Sequence, residues 1–568
     1  MLQKNIIKDR LLISPVNHVW TPEPVEGSYY NTLCNMIRKN IDEGGDWTWL
    51  HNRINGKTLN ASDFEILSKK FAVLFKNLGL EKNDCIHLVV GNYNESYGAI
   101  GGMWILGGVA SCGDVALDDQ AIAGQLKDTG AKIVFCTEET VANVTKAVHA
   151  IESKSKKKVH IYGFGEVSGV VNVFDLIKDI DESLAPDPVV AKDPKKDICI
   201  IFWTSGTTGL PKGICHSHFT THHFGGFVAK SQVKPNSPSV TTTCFFHVGG
   251  FFTGILALEK RMTYHHVRFL GTKFVFFRNL IQFQMFGPDF TLKILLDTIV
   301  EAKPGTVALG SHHYVQLAES DILDQVDPES LDSVTTLFPA GSAVPSSCEI
   351  KIKEKFRNLQ GVLNGYGQTE SGIATIGLGQ ASLGMVMPQY RVKIEDPDTG
   401  ERCAPNQQGE ICLKSPFLMQ RYLKRPKETE EFFDFEGFGH TGDIGYYDAE
   451  GNLIYVDRMK ELIKYKNNHV APTEIEDLLQ SHPDVIECLV YGKKDPYVQE
   501  LISAVVVKKK NSEVTEKELK EFVNDRIKTD FKKIRGSIIF RDELPRNNVG
   551  KLVRRKMREW AENLENEA

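Results

Sequence analysis

The chain has 568 residues, too many for one hydrophobic core, and about two to four folding units are expected. Hydrophobic residues make up 41% and charged residues 25%, the mix of an ordinary globular enzyme, and a net charge of −6 exerts no general pull on nucleic acid or an acidic membrane. Eleven cysteines, odd in number and without a C-x-x-C pair, argue against a disulfide framework or a zinc site and favour a reduced, intracellular compartment.

In chain order, Met1–Pro15 has no basic region followed by an apolar run, so no secretory signal is expected. Asp84–Val90 reads as a strand. Tyr97–Ala116 is the most membrane-like stretch, but it is glycine-rich and interrupted by Asp114, which predicts a buried helix and strand and no integral membrane segment. Ala121–Thr129 reads as helix and Lys132–Cys136 as the next strand. This alternation predicts an α/β architecture with largely parallel sheets. The basic runs Lys154–Lys158 and Lys508–Lys510 are short enough to be solvated faces. Ile198–Trp203 suits a buried strand. Past about residue 460 the texture turns to compact α+β. Ala471–Leu479 opens with Pro472 and places Ile475, Leu478 and Leu479 on one helical face. Val485–Val490, Ile502–Val507 and Ser537–Phe540 read as strands, and Thr515-x-x-Glu518 is a capping-box signature. No long Pro/Gly/Ser linker separates the two regions, so a tight hinge is expected. The chain ends Leu-Glu-Asn-Glu-Ala and so lacks an S-K-L peroxisomal address, which favours a cytoplasmic location.

The densest chemical signal is Thr204-Ser205-Gly206-Thr207-Thr208-Gly209-Leu210-Pro211-Lys212-Gly213. Its glycines let backbone N–H groups approach phosphate oxygens, its four hydroxyls add donors, and Lys212 adds a mobile charge. A triphosphate asks for that combination. The spacing is not that of a Walker A loop.

This loop resembles the phosphate loop of the adenylate-forming superfamily, in the branch of acyl-CoA synthetases, 4-coumarate-CoA ligases and luciferases. Further segments resemble that family's motifs in its order. Asn364-Gly365-Tyr366-Gly367-Gln368-Thr369-Glu370 matches the segment whose tyrosine lies against adenine, whose threonine contacts the α-phosphate and whose glutamate helps to hold Mg²⁺. A flat ring suits a purine, and a hard carboxylate suits Mg²⁺. Ala340-Gly341-Ser342-Ala343 matches the segment bordering adenine and the acyl group. Phe246-His247-Val248-Gly249-Gly250 aligns with the gate beside the carboxylate, although the family's proline three residues before His247 is Cys244 here. Thr441-Gly442-Asp443 and Asp457-Arg458 match the pair that contacts ribose and phosphate; Asp443 is the acceptor-only group that two ribose hydroxyls require. Lys460 falls at the family's hinge. Pro545-Arg546-Asn547-Asn548-Val549-Gly550-Lys551 resembles the loop whose lysine bridges the substrate carboxylate and the α-phosphate.

The resemblance implies a large N-terminal domain, residues 1–459, of two α/β sheets plus a small β-barrel, and a smaller mobile α+β domain, residues 460–568. It implies ATP, Mg²⁺ and coenzyme A as cofactors and a small carboxylic acid, fatty or arylpropenoic, as substrate, with Lys551, His247, Thr369 and Glu370 as the catalytic set. It carries no information on the oligomeric state. As the resemblance implies, the carboxylate would attack the α-phosphorus, pyrophosphate would leave, the small domain would rotate, and a thiol would take the acyl group. The family commonly has Lys-Gly-Tyr/Phe where this chain has Lys466-Asn467-Asn468, beside the thiol tunnel; asparagine is the next best residue for a glycine-type backbone. Lys464, Lys466 and Asn467 are therefore the coenzyme A-side candidates. Gly310-Ser311-His312-His313-Tyr314 stands in the acyl region with His247 and Gly341; His312 and His313 either make that pocket more polar than a fatty-acyl channel or point away from it. A luciferase would share every ATP residue and oxidise its adenylate. A nonribosomal adenylation protein would carry a carrier domain after Lys556, and an inactive relative would have lost Lys551, Glu370 or the loop.

Overall fold

Apolar runs alternating with helical patterns become layered sheets in the computed structural model, which describes residues 6–13, 28–53, 55–154, 158–204, 211–222, 238–259, 261–262, 264–266, 274–277, 280–283, 288–341, 344, 346–379, 382–466, 468–544 and 560. Cys85–Val89, Val109–Cys112, Ile133–Cys136, His160–Gly163, Val171–Asn172 and Ile198–Trp203 run parallel in an eight-stranded sheet. Ile86 and Leu88 enter one core with the helices Ala61–Asn77 and Ser96–Ile105; Cys85 and Val89 enter another with Asp119–Thr129 and Val141–Glu152. Both faces of Cys85–Val89 are covered, which is why it reads as a nearly continuous apolar run.

The glycine-rich stretch at 97–116 divides as expected into the fully buried helix Ser96–Ile105 and the strand Val109–Cys112. Its glycines serve helix packing. A Cβ on Gly101 would fall 2.1 Å from Ser68 Oγ, and one on Gly102 would fall 2.7 Å from Phe71 Cβ. Among the described residues no helix is long and apolar enough to cross a membrane.

A nine-stranded sheet is built around the parallel strands Thr336–Ala340, Thr306–Gly310, Ser239–Thr241, Tyr264–His266 and Thr48–Asn52. It continues through Gly361–Gln368 into the antiparallel strand Gly372–Leu378. A third, six-stranded sheet is antiparallel, in the order Ile6–Lys8, Leu11–Ile13, Arg391–Glu395, Gly409–Lys414, Gly439–Tyr447 and Leu453–Arg458. The architecture is the mixed, multi-sheet α/β arrangement that the sequence implies.

The strands from Ile463 onward form their own five-stranded sheet, and one apolar cluster runs entirely within that region, from Ile463 to Ile538. The predicted strands there are extended by the structure. Val485–Asp495 pairs with Gln499–Lys508, and Asp495 Oδ1 accepts the Tyr497 and Val498 N–H groups at the turn. The apolar pattern stops at Val490, but the backbone ladder continues through Lys493 and Lys494 because its bonds do not depend on side-chain polarity. The predicted capping box is present: Glu518 N–H donates to Thr515 Oγ1 at 3.3 Å and Thr515 N–H donates to Glu518 Oε2 at 2.8 Å.

Lys460 lies in the short 3₁₀ turn Met459–Glu461. That turn is spanned by hydrogen bonds. The helix Pro472–Gln480 has Ala471 at its N-cap, with no side-chain cap of its own. Instead Asp457 Oδ2 accepts the Thr473 N–H at 3.1 Å, and Thr473 Oγ1 donates to Val456 O at 2.6 Å. A buried aspartate before the turn thus satisfies a free N–H of the helix after it.

Candidate active site

Ile198–Trp203 pairs antiparallel with Gly213–Ser217, with Trp203 opposite Gly213. Just beyond that pair, Thr204 N–H donates to Lys212 O at 3.1 Å and Lys212 N–H donates to Thr204 Oγ1 at 3.4 Å. Thr204 and Lys212 therefore close the neck of the glycine-rich segment. Ser205, Gly206, Thr207, Thr208 and Gly209 lie outside the described residues. Lys212 Nζ sits 5.0 Å from the centre of the Tyr422 ring, within cation–π range.

Tyr366, Gly367 and Gln368 end the strand Gly361–Gln368, and Thr369-Glu370 follow in the turn to Gly372–Leu378. The turn is held from the neighbouring sheet. His216 Nε2 meets Thr369 O at 2.9 Å, Met419 N–H donates to Glu370 O at 2.7 Å, and the Tyr422 hydroxyl donates to Glu370 Oε1 at 2.9 Å. Burial raises the Glu370 carboxyl above its ordinary range, against the opposing pull of the Tyr422 hydroxyl and Arg458. The backbone requirement at Gly367 is steric. A Cβ there would lie 2.2 Å from Gly372 O and 2.8 Å from Ile373 Cα, both main chain. Gly367→Ala is expected to force the hairpin apart and destabilise the fold by about 1–3 kcal/mol, read as a lowered midpoint in denaturant.

Asp443 is buried in the strand Gly439–Tyr447. Its Oδ2 accepts the Tyr366 hydroxyl at 2.7 Å and Gln368 Nε2 at 2.8 Å, and Arg458 Nε lies 3.4 Å from Oδ1. Arg458 is directly opposite Asp443 in the strand pairing. Burial, then the negative Asp443, hold the Tyr366 phenol well above its ordinary value, so Tyr366 remains a donor. The fold thus gathers Tyr366, Glu370, Asp443 and Arg458 beside each other from segments nearly a hundred residues apart.

Of the acyl-pocket candidates, Gly341 follows the strand Thr336–Ala340 with φ of 113°, a backbone region that favours glycine; Ser342 and Ala343 lie outside the described residues. His247 directly precedes the helix Val248–Glu259, packs on Phe246 with ring centres 4.9 Å apart, and its carbonyl accepts the Phe251 N–H. His313 is buried in the helix Ser311–Glu319 with Nδ1 2.9 Å from Thr242 Oγ1, which also accepts the Gly310 N–H. This ties one ring nitrogen to the scaffold. The His312 side chain lies outside the described residues.

The hairpin Ile463–Tyr465 and Asn468–Val470 carries Lys464 and Lys466. Lys464 N–H donates to Glu500 Oε2 and Lys466 N–H to Val498 O. Lys466, the first residue of the two-residue link between the paired Tyr465 and Asn468, has a left-handed backbone with φ 46°. Asn467 lies outside the described residues, as does Lys551.

The family model described as AMP-binding enzyme matches residues 37–423, more than half of the chain. The chain belongs to the AMP-binding enzymes, the adenylate-forming superfamily. The model of an AMP-binding enzyme C-terminal domain matches residues 474–551. Among curated relatives, "Probable 4-coumarate--CoA ligase 2" of Dictyostelium discoideum is 30% identical over 93% of this chain and 95% of its own length. A luciferin 4-monooxygenase of Luciola mingrelica is 30% identical over 89% and 90%. Among solved structures, ATP-bound MatB from Rhodopseudomonas palustris superposes with a TM-score of 0.78 at 22% identity, covering 93% of this chain and 99% of that one.

Within this AMP-binding enzyme, motif reading missed three residues that the fold brings to the cluster. Gln368 sits inside a quoted motif, and its amide, which also donates to Thr441 O, had a signal only in its neighbours. His216 and Tyr422 had none: each follows an unremarkable strand sequence and acquires its place from sheet pairing.

Proposed function

We propose that this AMP-binding enzyme activates a carboxylic acid, fatty or arylpropenoic, with Mg-ATP and transfers the acyl group to coenzyme A. The carrying observation is the cluster of Tyr366, half-buried Glu370, buried Asp443 and Arg458, in a chain 30% identical along 93% of its length to a relative named as a CoA ligase. In the first step a carboxylate oxygen bonds to the α-phosphorus as the bond to the bridging oxygen breaks, and pyrophosphate leaves. In the second a thiolate sulfur bonds to the acyl carbon as the acyl–phosphate C–O bond breaks, and AMP leaves. Thr204, Ser205, Gly206, Thr207, Thr208, Gly209 and Lys212 take the phosphates. Gly341, Ser342, Ala343, Tyr366 and Gly367 border adenine, and Asp443 and Arg458 take the ribose. Thr369 contacts the α-phosphate, Lys551 bridges the two reacting anions, and His247 stands beside the carboxylate.

Glu370 fits Mg²⁺: it is a hard carboxylate, burial raises its affinity for a positive partner, and a hydroxyl already orients one oxygen. When bound, the ion neutralises phosphate charge. We place the domain boundary at Lys460, between residues 1–459 and 460–568, where the core cluster of the small region begins. Eleven buried free thiols suit a reducing, cytoplasmic setting.

The luciferin monooxygenase relative supports a second reading, oxidation of the adenylate, and Lys466-Asn467 beside the thiol path leaves room for a different acceptor. A panel of carboxylic acids assayed for pyrophosphate exchange, with and without coenzyme A, separates these. Acid-dependent exchange with a thioester product is the expected result. Adenylate without thioester selects another acceptor or oxidation, and no exchange with any acid overturns the proposal.

A further inference from the structure

Tyr422 touches two candidate ATP-binding elements at once, and no motif singles it out. It ends the two-residue strand Arg421–Tyr422, which pairs with Gly213–Ser217, the strand that leaves the glycine-rich segment. Its hydroxyl donates to Glu370 Oε1 at 2.9 Å, and its ring carries Lys212 Nζ at 5.0 Å. The ring is itself held: Phe432 meets it edge-on at 6.0 Å, Tyr422 N–H donates to Thr429 Oγ1 at 3.0 Å, and Tyr422 is 9% exposed. A rigid, buried donor on one oxygen of a carboxylate limits which way the other oxygen faces, and such partners of metal-binding carboxylates set ion affinity.

We propose that Tyr422 is a positioning residue that orients the Glu370 carboxylate for Mg²⁺ on ATP and holds Lys212 over the same phosphates, so that ion and lysine engage the nucleotide together. This rests on the ATP-dependent reading given above. The two contacts are separable by chemistry. The hydroxyl acts on Glu370 alone, and the ring face acts on Lys212 alone. Tyr422→Phe therefore removes the first and keeps the second, whereas Tyr422→Leu removes both.

The test is calorimetric binding of ATP to the full chain, with Mg²⁺ and with EDTA, to the unsubstituted protein, Tyr422→Phe and Tyr422→Leu. The expected result for Tyr422→Phe is that the gain in ATP affinity conferred by Mg²⁺ shrinks by roughly tenfold or more, while affinity in EDTA is unchanged. Tyr422→Leu is expected to lose affinity in EDTA as well. A general disturbance of the fold would lower both affinities of Tyr422→Phe together, and that outcome overturns the proposal. So does an unchanged Mg²⁺ gain. Glu370→Gln supplies a control independent of how well the single variant folds: adding Tyr422→Phe to Glu370→Gln is expected to cost no further Mg²⁺ gain, and a further loss overturns the assignment. ATP binding absent from the unsubstituted protein sinks the ATP reading and this inference with it. Binding present but indifferent to Tyr422 sinks this inference alone.

Discussion

Replacing Lys551 by alanine is expected to lower acid-dependent pyrophosphate exchange by about 10²–10³-fold while ATP still binds. The proposed reaction brings an anionic nucleophile onto an anionic electrophile, so charge repulsion opposes the approach itself. Among the described residues, Arg458 is the cation of the Glu370–Asp443 cluster, and that side chain faces Asp443. Lys212 stands over Tyr422. In the proposed reaction a further cation at the reacting atoms would ease this approach, and the Gly550-Lys551 pair is the segment whose sequence suits that task. The loss should fall on the rate of exchange rather than on ATP affinity, because the lysine acts where charge develops. Exchange kinetics set beside calorimetric ATP binding check it, and equal loss in both would show that Lys551 serves binding alone. Lys551→Arg should recover only part of the rate, since a planar guanidinium does not reproduce a compact ammonium.

Asp443→Asn is the second change expected to act strongly. The native carboxylate receives the Tyr366 hydroxyl and the Gln368 amide on one oxygen and faces Arg458 with the other. An asparagine offers one acceptor, and its NH₂ must point at a donor. The expected outcome is a stability loss of about 1–3 kcal/mol, because the amide oxygen can keep the Tyr366 and Gln368 donors only by turning its NH₂ toward Arg458, which loses its charged partner. ATP affinity should fall by about ten- to a hundredfold if ribose hydroxyls donate to this carboxylate, at 1.5–3 kcal/mol for a bond to a charged group. The cross-check is 2′-deoxy-ATP, whose binding should suffer less from the substitution than that of ATP. An identical loss for both nucleotides would remove the ribose 2′-hydroxyl from the site. Denaturant unfolding measures the stability part separately.

These two residues differ in how they were legible. Lys551 is readable only as a motif: nothing in its own chemistry distinguishes it from other lysines, and its neighbours Gly550 and Pro545 mark the loop. Asp443 is readable as Thr441-Gly442-Asp443, but the sequence says nothing of its union with Tyr366, seventy-seven positions earlier. Strands were legible wherever burial on both faces made them continuously apolar, as in Ile198–Trp203, whose predicted limits are those observed. They were cut short where a ladder ran on through charged residues, as at Lys493 and Lys494. The resemblance pointed to Asn467 for a left-handed backbone and gave no such signal at Lys466, where the two-residue hairpin link produces one.

By itself the sequence determined the α/β class, the change of texture near residue 460, the glycine-, threonine- and serine-rich segment and the order of the motifs, because these follow from local periodicity and from short runs of distinctive residue types. Only the tertiary structure decided that Tyr422 and His216 fasten the Glu370 turn, that Gln368 and Tyr366 share Asp443, that Thr242 holds His313 and that Asp457 caps the helix beyond Lys460. Each of these is a single directional bond between segments far apart in the chain. Such a bond leaves no periodic trace in either segment, and only the pairing of sheets brings its two ends within hydrogen-bond reach.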